Sequence, residues 1–378
     1  MAKLILIISL VLLSSCSSSS KASSNSLGFS SGSQIEIMSY NVENLFDTLH
    51  DEGKDDWTFL PSKFQGKNEA CAEVKYKKYR DECFETDWND EKLDTKLEQI
   101  KDVLTRERSA LPDVLALVEI ENENVISLLA KKLGYSQYTV SNSPDKRGVD
   151  LALLWNDKKL KNISKKELEV KSSALKDRPT RNILEVEFIV AGKFPLTVFV
   201  NHWPSQANKN ESRIDAAKIM MKRVKEIQKK NSQMAIVSTG DFNVADTNRP
   251  DPFFSVVEAQ GLLDVHSLVM ESKDLDYRVK VTYPLGTYFY SKTMQWNLLD
   301  RFFISKNLND GKGLDLLIKS YQIYAPKFIT TQHEYSYKTD HHYGTTVQGV
   351  PKRYEHNTSR SSKAGYSDHF PIIMKLKY

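Results

Sequence analysis

The sequence predicts a layered α/β domain, because strand-like and helix-like stretches alternate along it. Three observations carry this. Short continuous apolar runs at residues 114–118, 151–155 and 196–200 have the length of buried strands. Between them lie longer stretches whose apolar residues recur every three or four positions, the spacing of one helix face. The composition is that of an ordinary globular chain, with 40% hydrophobic and 27% charged residues in 378. No internal repeat is visible, and after residue 16 no apolar run is long enough to span a bilayer. The net charge of +4 is too small to give the whole chain an electrostatic footprint for nucleic acid.

The elements follow in order. The folded domain starts at Gln34, and residues 35–39 alternate like a strand. Residues 51–92 read as an irregular charged insertion, with 12 acidic residues against 8 lysines or arginines, a net charge of −4. A helix follows with Leu93, Leu97, Ile100 and Leu104 on one face. The run at 114–118, after Pro112-Asp113, is a buried strand, and a second helix covers 125–133. Residues 151–155 form another buried strand, 183–190 alternate, and 196–200 are apolar again. Ile214, Ala217, Met221, Val224 and Ile227 mark one side of a helix over 211–229. A strand at 234–237 runs into Ser238-Thr239-Gly240-Asp241. Shorter strands are predicted at 287–290, 301–304 and 372–376, and 331–364 reads as a long polar loop.

The N-terminus carries a processing signal. Lys3 precedes a predominantly apolar run ten residues long, 4–13, too short to cross a membrane. Leu13-Ser14-Ser15-Cys16 then resembles the lipobox of bacterial lipoproteins; an ordinary cleaved signal is the alternative. Residues 17–33 are mostly Ser, Asn, Gly and Lys, suited to a flexible tether. The expected organisation is a signal peptide at 1–15, a tether at 16–33 and one domain at 34–378. Acyl chains on Cys16 would hold the protein on a membrane of the bacterial envelope, facing the periplasm or the exterior. Cys71 and Cys83 suggest a disulfide closing a small loop in an oxidising compartment, with two free thiols as the alternative. Neither has metal-site spacing.

Polar clusters stand where predicted strands end, which is where layered α/β folds place ligands. They are Asn41-Val42-Glu43-Asn44, Glu119, Asn201-His202, Gly240-Asp241-Phe242-Asn243, Asp300 and Ser367-Asp368-His369. Asn and Asp after a strand are common turn formers, so any one cluster is weak. Together they suit phosphate-ester hydrolysis. That reaction needs a cation to offset charge on phosphoryl oxygens, a base to orient water, and donors for the transition state. Carboxylates bind hard cations such as Mg²⁺. No Gly-x-Ser-x-Gly nucleophile motif and no phosphate-cradling glycine loop is present, so direct attack by water is favoured over a covalent intermediate.

The ordered set Ser39-Tyr40-Asn41-Val42-Glu43-Asn44-Leu45-Phe46, Val118-Glu119, Asn201-His202, Gly240-Asp241-Phe242-Asn243 and Ser367-Asp368-His369-Phe370-Pro371 resembles the endonuclease/exonuclease/phosphatase superfamily. Its members include pancreatic deoxyribonuclease, apurinic endonucleases, inositol polyphosphate 5-phosphatases and bacterial sphingomyelinases. The resemblance covers residues 35–378, and Gly-Asp-Phe-Asn with a terminal Ser-Asp-His is a specific combination. It implies a deoxyribonuclease-like four-layer sandwich: two packed mixed β-sheets flanked by helices. It also implies roles. Glu119 would be the main Mg²⁺ ligand, with Mn²⁺ or Ca²⁺ as alternative ions. Glu43 stands where some members carry a metal-binding aspartate, and Asp368 would bind or organise the metal. Asn41 would contact phosphate or metal-bound water. Asp241 would orient the attacking water, and Asn243 would hold a phosphate oxygen. His369 would contact the scissile phosphate, buttressed by Asp300. His202, tyrosine in apurinic endonucleases, would contact phosphate and protonate the leaving oxygen, with Asp150 as a candidate partner. The basic run 176–181 could touch phosphate or be a solvated loop. His333, Glu334, Asp340, His341 and His342 read as a surface loop.

The expected function is therefore metal-dependent hydrolysis of phosphate esters outside the cytoplasm, with a phosphodiesterase or endonuclease foremost. Alternatives are a phosphatase or phospholipid diesterase of the same fold, or a surface-binding protein that keeps the fold without the activity. The expected partners are the phosphate-ester substrate, which could be a nucleic acid, and a membrane through the anchor. No protein partner is inferred. The acidic insertion argues against a polyanion crossing that edge, and the domain's slight positive excess argues the other way.

Overall fold

The computed structural model of the protein describes residues 27–29, 32–176, 178–334 and 346–378, the side chain of Glu334 excepted. Cys16 and the rest of residues 1–26, Asp177, and Asp340, His341 and His342 lie outside the described residues.

Seventeen strands among the described residues build two large sheets and two hairpins. The first sheet runs β13 (Asp315–Leu316), β17 (Ile372–Lys377), β1 (Gln34–Leu45), β2 (Val114–Ile120), β4 (Asp150–Trp155) and β3 (Gln137–Val140), with β14 (Gln322–Ile323) also on β17. The second runs β5 (Leu160–Leu168), β6 (Ile183–Val190), β7 (Phe194–His202), β8 (Ala235–Asp241), β12 (Asp300–Ser305) and β9 (Leu262–Asp264). Both are mixed: β1 lies parallel to β2 and β7 parallel to β8, and their other neighbours are antiparallel. The hairpins are β10 (Tyr288–Tyr290) with β11 (Gln295–Asn297), and β15 (Thr330–Glu334) with β16 (Thr346–Pro351).

Alternation along the strands explains the layers, since successive side chains point to opposite faces. On β7, Leu196, Val198 and Val200 join the core between the sheets, whereas Phe199 joins the core beneath a long helix. Ala235 and Val237 against Ile236 on β8, and Phe302 and Ile304 against Phe303 on β12, divide the same way. The helix below is α5 (Asn210–Lys230, the fifth in the chain), which contributes Ala216, Ala217, Met220, Met221, Val224 and Ile227 to that outer core. Glu185 of β6 faces the same helix and takes a bidentate pair of 2.7 Å bonds from Arg223.

The first sheet is covered by α3 (Asp90–Thr105) and α4 (Glu123–Leu133), the second pair of helices after α1 (Lys67–Ala72) and α2 (Lys77–Glu85). The side chain of Asn89 caps α3 and that of Asn122 caps α4, each accepting an otherwise orphaned backbone N–H. Gly134 stops α4 in the left-handed conformation, at φ 89°. The result is the four-layer, deoxyribonuclease-like sandwich that the motifs imply.

Some expectations change. Residues 51–92 are not irregular: α1 and α2 lie there, joined by a Cys71–Cys83 disulfide, and the buried Lys67 ammonium ties Leu60 and Thr86 carbonyls at 2.6 Å. Part of the tether stretch is docked, because Phe29 bridges to Leu111 and stacks edge-on with Tyr135. Strands β3 and β5 arise where none was read. Both are sheet edges, and the exposed lysines of β5 hide its periodicity. The polar stretch 331–364 contains β16, most of β15 and a short helix at Ser361–Ala364.

Candidate active site

The parallel pairs bring the C-terminal ends of β1, β2, β7 and β8 to one edge of the two sheets. Strand β12, antiparallel to β8, begins there, so Asp300 sits opposite Asp241, and His202 sits opposite Asp241 on the other side. The turn before β17 delivers Ser367, Asp368 and His369; the Ser367 hydroxyl donates to the Asn41 carbonyl at 2.7 Å. The backbone is strained at this edge: Glu43, Asn44, Glu119 and Asn243 have φ of 53°, 63°, 65° and 51°. Such non-glycine conformations persist where the surroundings over-determine them, which is common at reactive centres. Gly240 has φ 124°, and a Cβ there would lie 2.1 Å from the Asn201 carbonyl oxygen, so only glycine lets β8 approach β7 so closely.

The side chains converge on a cleft of about 770 Å³ lined by Glu119, His202, Asp241, Asn243, Asp368 and His369. Asn41, fully buried beneath it, donates its amide to both Glu119 Oε1 and Asp241 Oδ2 at 3.2 Å. His202 Nε2 stands 3.7 Å from Glu119 and from Asp241. His369 Nε2 is 3.8 Å from Asp241, while its Nδ1 meets the buried Asp300 Oδ2 at 2.7 Å. Asp241 Oδ1 accepts the Asn243 backbone N–H at 2.8 Å, and the Asn243 amide donates to the Trp203 carbonyl at 3.1 Å.

Electrostatics separate the two histidines. Burial pushes the His202 imidazole well below its usual value, and the nearby Arg181 and Arg147 cations push the same way. It is held in the neutral form. Burial alone would also lower His369, but the Asp300, Asp241 and Asp368 carboxylates outweigh this and hold it well above the ordinary range. It is a cation with one donor committed to Asp300 and the other turned to the cleft. Burial pushes Asp241 up to about 7, against the pull of His369, with Asp300 adding repulsion. Burial and Glu43 push Asp368 up to about 7 as well. Crowded carboxylates raised in this way mark a place that favours an added positive charge.

Two expected residues are engaged elsewhere. The Glu43 carboxylate is already engaged: Arg353 donates to its Oε1 through Nε and Nη2 at 2.9 and 2.6 Å, and the Tyr354 N–H donates to Oε2 at 2.9 Å. In this structure the carboxylate acts as a strut for the segment after β16. Asp150 is not the partner of His202; it is bound by the hydroxyls of Ser141 and Ser143 and by the Ser143 N–H at 2.9 Å. Among the described residues His202 Nδ1 has no hydrogen-bond partner.

Other groups enter, most of them unforeseen. Arg181, the last residue of the basic run, is buried in the cleft wall and donates to Asp145 and to the Trp203 carbonyl at 3.2 and 2.7 Å. Arg147 is held by the same Asp145 at 2.8 Å. Arg353 also reaches Asp368 at 3.2 Å. Lys96, wholly buried, lies over the Tyr354 ring at 3.9 Å and donates to the Glu43 carbonyl at 3.1 Å. A lysine one turn from Leu93 and Ile100 on an apolar helix face is the sequence signal for it. The β10–β11 hairpin overhangs the cleft with Tyr288, Tyr290 and Lys292, and the Tyr288 ring lies 5.0 Å from that of His369.

Known structures share this architecture. D. rerio TDP2 complexed with single-strand DNA product superposes with a TM-score of 0.54 at 14% identity, over 92% of this chain and 100% of that one. An endonuclease/exonuclease/phosphatase family protein from Bacteroides thetaiotaomicron gives 0.51 at 15% identity, over 91% and 98%. The human Nocturnin catalytic domain with bound sulfate gives 0.51 at 14%, over 91% and 94%. At these identities the likeness is one of fold. No curated protein sequence matches the chain. The family model described as endonuclease/exonuclease/phosphatase matches residues 36–378. The chain therefore belongs to the endonuclease/exonuclease/phosphatase family, a family of phosphoric ester hydrolases.

Proposed function

We propose that the protein is a divalent-cation-dependent phosphodiesterase that cleaves its substrate by direct attack of water. The observation that carries this is the meeting, in one cleft, of Glu119, Asp241, Asp368, His202 and the His369–Asp300 pair. The donor set fits a hard cation. Among the described residues no three His, Cys, Asp or Glu groups already stand as a closed metal shell. Mg²⁺ needs none, since it usually keeps several waters and takes one or two carboxylates plus substrate phosphate. Glu119, with Asp368 beside it, would hold the ion, and Mn²⁺ or Ca²⁺ would suit the same oxygens. When bound, the ion supplies charge that stabilises the phosphoryl oxygens.

The chain's own residues do the rest. His369, cationic and fixed by Asp300, holds a phosphate oxygen through Nε2. The Asn243 amide nitrogen keeps a second N–H for another. Asp241 orients the attacking water, and its raised pKa suits it to accept the proton. A phosphate entering beside Arg147 and Arg181 offsets part of what disfavours a charged His202, and His202, 3.7 Å from Glu119 and Asp241, is the group proposed to protonate the leaving oxygen. The single-strand DNA product on D. rerio TDP2 makes single-stranded DNA the first substrate class to test. The alternative of a binding protein without activity has no use for so complete a set. The Cys16 acyl anchor and an envelope location belong to the same proposal, and mass spectrometry of the native N-terminus tests them.

The experiment is hydrolysis of bis(p-nitrophenyl) phosphate and of a single-stranded oligonucleotide with Mg²⁺. Chelator is expected to abolish turnover, and Glu119→Gln to lower it about a hundredfold or more with the fold intact. Full activity in excess chelator, or in well-folded Glu119→Gln, overturns the proposal.

A further inference from the structure

A second cavity, of about 610 Å³, opens beside the cleft and shares Tyr79 and Arg147 with it. The insertion supplies one wall through Trp57, Phe59, Val74 and Cys83; Phe46 and Val149 of the main domain supply the other. The rings are braced. Phe46 stacks on Phe59 with centroids 4.3 Å apart, Trp57 packs on His50 at 4.0 Å, and the disulfide joins the helices behind. The charged groups of this cavity are mostly of one sign: Asp55, Glu73 and Glu82 are exposed carboxylates, and Arg147, at the border with the cleft, is the one cation among the lining residues.

Aromatic walls favour a flat ring, and carboxylates within a Debye length repel a phosphate. The cleft on the far side of Arg147 has the opposite preference. We propose that this cavity receives a planar, ring-bearing portion of the substrate that carries no phosphate of its own, attached to the phosphate held in the cleft. It rests on the reading of the cleft as a phosphate-ester site. It adds a direction to that reading: the carboxylates disfavour a polyanionic strand continuing past Arg147 into this pocket.

Phosphonates test this without turnover, because their C–P bond is not a hydrolysable ester. With Mg²⁺ present, calorimetry is expected to show phenylphosphonate binding about tenfold more tightly than methylphosphonate, the scale of one aromatic contact. Trp57→Ala is expected to close that gap and leave methylphosphonate affinity unchanged. p-Phenylenediphosphonate is expected to bind more weakly than phenylphosphonate, and the exposed pair Glu73→Lys/Glu82→Lys to reverse this order. Should Trp57→Ala fail to fold, the charge variant decides alone. Equal affinity of the parent for the phenyl and methyl compounds, a gap that survives Trp57→Ala, or indifference to the second phosphonate in parent and charge variant overturns the inference. Ring preference in a protein that hydrolyses no phosphodiester would sink the catalytic reading and leave the pocket standing. Hydrolysis without ring preference would do the reverse.

Discussion

Asp300 has no exposed surface, does not itself line the cleft, and spends one carboxylate oxygen on His369 Nδ1 at 2.7 Å. Its effect is to fix the ring's tautomer and favour its charged form. Asp300→Asn keeps the shape and loses the charge. It is expected to lower kcat by about 10² to 10⁴ with a small change in melting temperature; parent-like turnover would remove Asp300 from the mechanism. Gly240 makes the opposite case, where shape is everything. Gly240→Ala places a methyl against the Asn201 backbone at φ 124° and is expected to cost about 3 kcal/mol or more in urea denaturation. At this scale the sequence was most legible at the ends of strands: Asn41, Glu119, His202, Asp241, Asn243, Asp368 and His369 do meet. It was silent on Arg353. Only the folded chain brings residue 353 onto residue 43, and no local pattern announces an arginine whose partner is 310 positions away.

At the scale of elements, the strands with both faces buried declared themselves as apolar runs, whereas the edges β3 and β5 did not, because solvent takes the place of one packed face. The insertion was misread for a related reason. Its helices are short, polar and held by a disulfide and by the Lys67 ammonium rather than by an apolar stripe, so periodicity carries no trace of them. Helix α5 was readable by its stripe, yet one of its ties is polar. Arg223→Leu leaves the Glu185 carboxylate, 2% exposed, without its bidentate partner. A loss of about 1–3 kcal/mol is expected, measured by denaturant midpoint, and a double change with Glu185→Leu is expected to recover much of it.

For the whole molecule, the segment after β16 closes the domain by clasping the insertion. His356 packs edge-on among Phe59, Trp88 and Tyr354, with centroids 5.3, 5.8 and 5.2 Å away. Burial, aided by the Lys96 cation, pushes its imidazole down to about 4. An unfolded histidine titrates near 6.5. Between those values the unfolded chain takes up a proton that the folded one refuses, so stability falls as pH drops from about 6.5 towards about 4. His356→Phe is expected to flatten that part of the denaturation profile; an unchanged acid limb would show that His356 is not its source.

The Cys71–Cys83 bridge lies in the wall of the aromatic pocket, while neither cysteine touches Glu119, His202, Asp241 or His369. A thiol reductant is therefore expected to alter choosiness more than chemistry: in dithiothreitol the preference for a phenyl over a methyl phosphodiester shrinks while the rate on the methyl compound holds. The same polypeptide would then be a selective hydrolase in oxidising surroundings and an indiscriminate one in reducing surroundings, so that its redox environment becomes part of its substrate definition.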